Sequence, residues 1–148
     1  MRLEKQTATL IDDCLGLARA QAVWDFTTGD PRRFRDRLEL VIDAAEQFKK
    51  RDIATDFVVL LHGAATQFAA RTLSGTKFEE SEARDFSAAQ ELLKQFAELG
   101  GRTEVCRIAM DRCAIVAENI LSFIAIEYNV FVNSVALQNR GYAYMPIL

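Results

Sequence analysis

The sequence predicts an α/β domain: a three-layer α/β/α arrangement around a mostly parallel five-stranded sheet. Three observations carry this. Helical and strand-like patterns alternate along the chain in the order αβαβααβαβαβ, which packs as a parallel sheet with helices on both faces. The run DFVVLL, Asp56 to Leu61, is continuously apolar rather than alternating, as suits a central strand covered on both sides. The chain has 148 residues, the size of one domain, with no linker, repeat or low-complexity tract.

The elements follow in order. In residues 4–18, Leu10, Ile11, Cys14, Leu15 and Leu17 fall mostly at helical spacing. That predicts a short amphipathic arm over residues 1–20, ahead of a single domain over 21–148. Gln21 to Thr28 is rich in strand formers and predicts the first strand. Asp30 then offers a helix cap and Pro31 a first helical residue with no amide proton to satisfy. Phe34, Leu38, Val41, Ala45 and Phe48 mark one face of a helix reaching Lys50. After the second strand, 64–73 read as a short helix. Residues 74–84 are polar and unpatterned, a loop long enough to be functional in a compact domain.

A clear helix spans Asp85 to Leu99, with Ala89, Leu92, Leu93, Phe96 and Leu99 on one face and Gly100-Gly101 ending it. Thr103 to Ala109 reads as the third strand, 112–121 as a weak helix, and Glu127 to Val132 as the fourth strand. A short helix, Ser134 to Asn139, closes at Gly141. Ala143 to Ile147 is the last strand, and Pro146 assigns it to an edge because proline cannot donate to a ladder.

Composition excludes several function classes. Half of the residues are hydrophobic and 26% are charged, as in a soluble globular protein. Lys plus Arg is 18 against 21 Asp plus Glu, a net charge of −3, which argues against nucleic acid as partner. No apolar run is long enough to span a membrane. The first twenty residues carry acids inside their apolar stretch and make a poor signal peptide, so the cytoplasm is the expected compartment. Three cysteines at irregular spacing are not a disulfide framework. One histidine and no C-x-x-C leave no structural metal site.

Ligands of open α/β sheets sit beyond the carboxyl ends of the strands. That rule selects Thr28 after strand one, His62 and Gly63 after strand two, Cys106 late in strand three with Arg107, Asp111 and Cys113 beyond it, and Asn133 after strand four. No G-x-G-x-x-G, P-loop or G-x-S-x-G motif occurs. No serine is placed to complete a triad with His62. Cys106 is the sharpest candidate, because a thiol beside Arg107 and Arg112 can be held as the nucleophilic thiolate. Taken by themselves the residues favour the plainer reading, with Cys106, Cys113 and Cys14 as small packing residues and His62 as a hydrogen-bonded structural histidine.

Four segments together carry a resemblance: AVWDFTTGDPRRF, DFVVLLHGAATQF, ELLKQFAELGGRTEVC and VFVNSVALQNRGYAYMPI. They resemble the DsrE/DsrF-like family of sulfur-relay and related small α/β proteins over roughly residues 21–148. The matching features are His62-Gly63 after a strand, Cys106 after a helix, and Leu137-Gln138 with Gly141-Tyr142-Ala143-Tyr144 at the end. The resemblance implies a three-layer fold assembled as a homotrimer or hexamer. It also implies that Cys106 accepts sulfane sulfur as a persulfide from a donor protein and passes it to an acceptor, with no metal or organic cofactor.

Two other classes remain at this stage. One is a non-catalytic small-molecule-binding or assembly module of the same fold with structural cysteines. The other is a small-molecule enzyme using His62 and Asp111 as acid and base.

Overall fold

The computed structural model describes residues 13–80 and 83–148. Its elements are β1 (Arg19–Phe26), α1 (Pro31–Lys50), β2 (Ala54–Leu61), a 3-10 turn (Gly63–Ala69), α2 (Ala83–Glu98), β3 (Arg102–Cys106), α3 (Arg107–Arg112), a second 3-10 turn (Ala117–Asn119), β4 (Ile124–Glu127), α4 (Val130–Asn139) and β5 (Ala143–Ile147). The five strands form one parallel sheet in the order β4-β3-β2-β1-β5. β2, β3 and β4 add outward from β1 in turn, and α4 then carries the chain back across the sheet to pair β5 with β1.

Alternation along the central strand sorts the two cores. Val59 and Leu61 of β2 join Phe34, Leu38 and Val41 of α1 and Phe86, Ala89, Leu93 and Phe96 of α2 in the larger one. Val58 and Leu60 turn the other way, onto Val130 and Leu137 of α4, with Val23 and Cys106. A strand buried on both faces needs no polar alternation, which is why DFVVLL reads as a continuous run. In the larger core the Phe34 ring stacks on Phe68 with centroids 4.1 Å apart.

The first helix starts where the sequence predicts. Asp30 accepts a hydrogen bond from the Arg32 amide at 3.1 Å, and Pro31 occupies the first turn. Pro146 sits in β5, an edge strand.

Three boundaries differ from the sequence reading. The third strand ends at Cys106, and the predicted strand tail Arg107–Ala109 instead opens α3, which turns Ala109 and Met110 inward and pairs Arg107 with Asp111 one turn on at 3.4 Å. The weak helix expected over 112–121 is replaced by the end of α3, a left-handed residue at Ala114 (φ 57) and the short turn at 117–119. The fourth strand covers Ile124–Glu127, not 127–132. Asn129 accepts from the Phe131 amide at 3.0 Å and caps α4, so Val130 to Val132, strand formers by propensity, are helical.

The predicted arm helix falls mostly on residues 1–12, outside those described; residues 13–16 form a turn. No helix among the described residues is long and apolar enough to cross a membrane.

Candidate functional site

The C-terminal ends of β2 and β3 define the site. Leu61 pairs with Val105 as the last register position of the two strands. The next residue on each chain is His62, still extended (φ −148, ψ 177), and Cys106. Gly63 then turns the chain sharply at φ 56, a left-handed conformation that strains any residue bearing a Cβ. That turn leaves the imidazole standing at the strand end.

His62 is held there by a partner the sequence did not name. Its Nε2 lies 2.5 Å from Oδ1 of Asp25, and the Tyr144 hydroxyl donates to Oδ2 of the same carboxylate at 2.5 Å. Asp25 is near the end of β1, between β2 and β5, so the topology itself lines up Tyr144, Asp25 and His62 on one face. Burial pushes the Asp25 carboxyl up, but the hydrogen bonds from His62 and Tyr144 outweigh it and hold the group below its ordinary value. In a neutral imidazole whose Nε2–H donates to the ionised Asp25, Nδ1 is the nitrogen with a free lone pair. The Tyr144 hydroxyl, donating to that carboxylate, is pushed up to about 12, with partial burial and the Asp25 charge adding to the effect. The His62 ring meets Phe131 edge-on at 5.4 Å.

A cavity of about 530 Å³ opens beside this chain of groups. His62, Gly63 and Ala64 form one wall. Cys106, Ile108, Ala109, Arg112 and Cys113 of the β3–α3 segment form another. Asn129 and Phe131 close it from the start of α4, and Lys77 and Phe78 from the loop after the first 3-10 turn. That loop is pinned in place: the Lys77 amide donates to the Cys113 carbonyl at 3.0 Å, and the Thr76 hydroxyl to the Leu73 carbonyl at 2.7 Å.

Cys106 is 6% exposed. It packs with Val23, Val58 and Leu60 and at the same time lines the cavity, its thiol directed at the Tyr128 carbonyl at 3.8 Å. Cys113 lines the cavity from the far end of α3. Burial raises its thiol above the ordinary value, against a smaller lowering from the Lys77 ammonium. Among the described residues, no three His, Cys, Asp or Glu side chains converge as a metal site.

Of the residues singled out from sequence, the fold brings His62, Gly63, Cys106 and Cys113 together around one cavity. It does not bring the others. Thr28 accepts from the Asp30 amide at 3.2 Å and shapes the start of α1. Arg107 and Asp111 pair with each other and line a different surface hollow with Val116 and Glu118. Asn133 faces Glu104, a buried carboxyl on the α4 face whose Oε2 accepts from Arg102 at 3.0 Å. Arg112, next to the residues chosen, is the arginine that lines the cavity.

The residues that sequence reasoning missed are Asp25, Lys77, Phe78, Asn129 and Phe131, and Tyr144 entered only as part of the terminal motif, not as a site residue. A lone acid inside the apolar first strand was the one available signal for Asp25.

The chain matches the DsrE/DsrF-like family over residues 21–147. It is 31% identical to an uncharacterised protein of Aquifex aeolicus over 127 residues, 85% of this chain; the match spans about half of that relative, 55% of its length. Two solved structures share the fold. MTH1491 of Methanobacterium thermoautotrophicum, a protein of unknown function, superposes with a TM-score of 0.67 at 14% identity, over 86% of this chain and 98% of that one. The ychN protein of E. coli superposes with a TM-score of 0.58 at 12% identity, over 85% and 98%. The parallel five-stranded sheet, the H-G turn at the end of β2 and the cysteine at the end of β3 lie within the matched span, and the chain belongs to the DsrE/DsrF-like family.

Proposed function

We propose that this protein is a persulfide carrier whose reactive sulfur is Cys106. One observation carries the reading: Cys106 lines the same cavity as His62, and His62 is oriented by Asp25 and Tyr144. A nucleophilic thiol, a base and a group that fixes the base is the recurring arrangement of activated cysteines.

The step balances without a redox partner. The Cys106 thiol yields its proton to His62, and the sulfur attacks the outer sulfur of a donor persulfide. The Cys106–S bond forms, the donor S–S bond breaks, and the donor leaves as a thiol, taking a proton. An acceptor thiolate then attacks the outer sulfur of the Cys106 persulfide and restores the Cys106 thiol. Cys106 and Cys113 are both thiols, as this chemistry requires.

The working form we propose is a homo-oligomer, a trimer or hexamer. Phe131, Val132 and Val135 of α4 stand 57% exposed or more, and Tyr144 and Met145 add apolar surface on the adjoining edge strand. A helix apolar on its outer side as well as its inner one fits burial against another subunit. Phe131 also lines the cavity, so assembly through α4 would abut the site.

The alternative is a binding or assembly module, favoured by the burial of Cys106 and its contact with the Tyr128 carbonyl. Mass spectrometry after incubation with a persulfide donor separates the two. The carrier gains one sulfur, keeps that gain in Cys113→Ser and loses it in Cys106→Ser. A wild-type protein that gains none is the inert module.

A further inference from the structure

The cavity has two chemically different ends. Cys106 and His62 occupy one, and Cys113, Arg112 and Lys77 the other, at opposite ends of α3. The six residues of α3 separate the two cysteines, seven helical steps or about 10 Å along the axis. Neither Lys77 nor Arg112 has an ion-pair partner among the described residues. Asp111, beside Arg112 in sequence, is taken by Arg107, and Glu79 and Glu80, which follow Lys77, form no ion pair with it and do not line the cavity. No Asp or Glu is among the described residues lining the cavity, although the chain as a whole is acidic.

Two unpaired cations in a carboxylate-free hollow select an anion. The volume of about 530 Å³ is that of a small-molecule site, for which roughly 300–1,000 Å³ is usual.

Resting on the carrier reading, we infer that the sulfur donor is a low-molecular-mass anionic peptide thiol in its persulfide form, with its carboxylates at Lys77 and Arg112 and its persulfide at Cys106. Length narrows the class. The sulfur and a carboxylate must lie about 10 Å apart, so the ligand needs a further residue between its thiol-bearing residue and that carboxylate, and a single amino acid, with both on one residue, does not reach. Transfer follows the same balance as above: the Cys106 sulfur takes the outer sulfur of the ligand, and the ligand leaves as its thiol.

The test compares the rate of Cys106 persulfidation by glutathione persulfide, by the persulfide of glutathione diethyl ester and by cysteine persulfide. The free acid is expected to be about tenfold better in kcat/KM than either comparator, the scale of one charge-assisted contact. In the Lys77→Ala/Arg112→Ala double variant its rate falls to that of the ester. Equal rates for acid and ester, with Cys106 still charged, overturn the inference and leave the carrier intact. If no donor charges Cys106, the carrier reading fails, and calorimetry with S-methylglutathione decides the anion site alone. Binding that disappears in the double variant supports the site, and no binding to the wild type overturns it.

Discussion

The Asp25 carboxylate lies 2.5 Å from His62 Nε2, across two adjacent parallel strands and 37 residues of sequence. Its second oxygen takes the hydroxyl of Tyr144, 119 residues away. Both contacts exist because β1 lies between β2 and β5.

Replacing Asp25 by Asn removes the charge that holds the imidazole and lets the amide donate to Nε2, which moves the lone pair to the wrong nitrogen. Persulfidation of Cys106 is expected to slow roughly ten- to hundredfold, with the donor KM little changed. Tyr144→Phe removes one hydrogen bond and is expected to slow it only about two- to threefold. Rate against pH for the two variants checks this: a purely structural role would lower the folded fraction and leave the shape of the profile alone.

Two buried carboxyls give the stability–pH curve opposite slopes. Asp25 is held below its ordinary value, so the folded state binds its proton less readily than the unfolded one. Its contribution is present above the unfolded pKa of 3.8 and is lost as the pH falls through the folded one. Glu104 is raised by burial and by the charge of Glu127, against the opposing pull of Arg102 and Asn133. Its contribution is full below the unfolded pKa of 4.5 and is lost as the pH rises through the folded one. Thermal melts should therefore show the Asp25→Asn curve flatter than wild type on its acid side. The Tm of Glu104→Gln relative to wild type should increase from mildly acid to neutral pH.

Gly29 is a close approach rather than a flexible point. A Cβ there would sit 2.6 Å from the Ala64 Cβ, at the turn that Gln67 ties down by donating to the Gly29 and Ala64 carbonyls at 3.2 and 2.9 Å. Gly29→Ala is expected to destabilise by about 1–3 kcal/mol, read as a Tm lower by several degrees. An unchanged Tm would mean that the β1–α1 turn moves away without strain.

Val135 stands on the outer face of α4, and an acid there has no effect on the core. Val135→Asp, alone or with Val132→Asp, is expected to lower the solution molar mass to that of one chain while leaving the melt cooperative. Light scattering reads the outcome, and a wild-type protein that is already monomeric contradicts the assembly.

Much of the fold was legible because its signals are local. The Asp30-Pro31 start, the stripe on α1 and the apolar run of β2 are set within a few residues of themselves. The start of α4 was not, because Val130, Phe131 and Val132 favour strand by propensity and the helix carries apolar residues on its exposed side as well as its buried one, with no single stripe to read. The site divides the same way. His62 and Cys106 stood out as rare residue types at strand ends. Asp25 resembled one polar break in a strand, and Lys77 and Phe78 lay in a loop without pattern; only the tertiary fold turns these toward the cavity. Arg107 and Asp111 were natural choices by distance along the chain, but one turn of helix pairs them with each other on the outside.

The most direct measurement is peptide mapping of the wild-type protein after brief exposure to a persulfide donor, followed by a chase with free thiol. The account predicts one added sulfur on the peptide holding Cys106, discharged by the chase. Sulfur confined to Cys14 or Cys113, or a Cys106 peptide that stays unmodified, would contradict it.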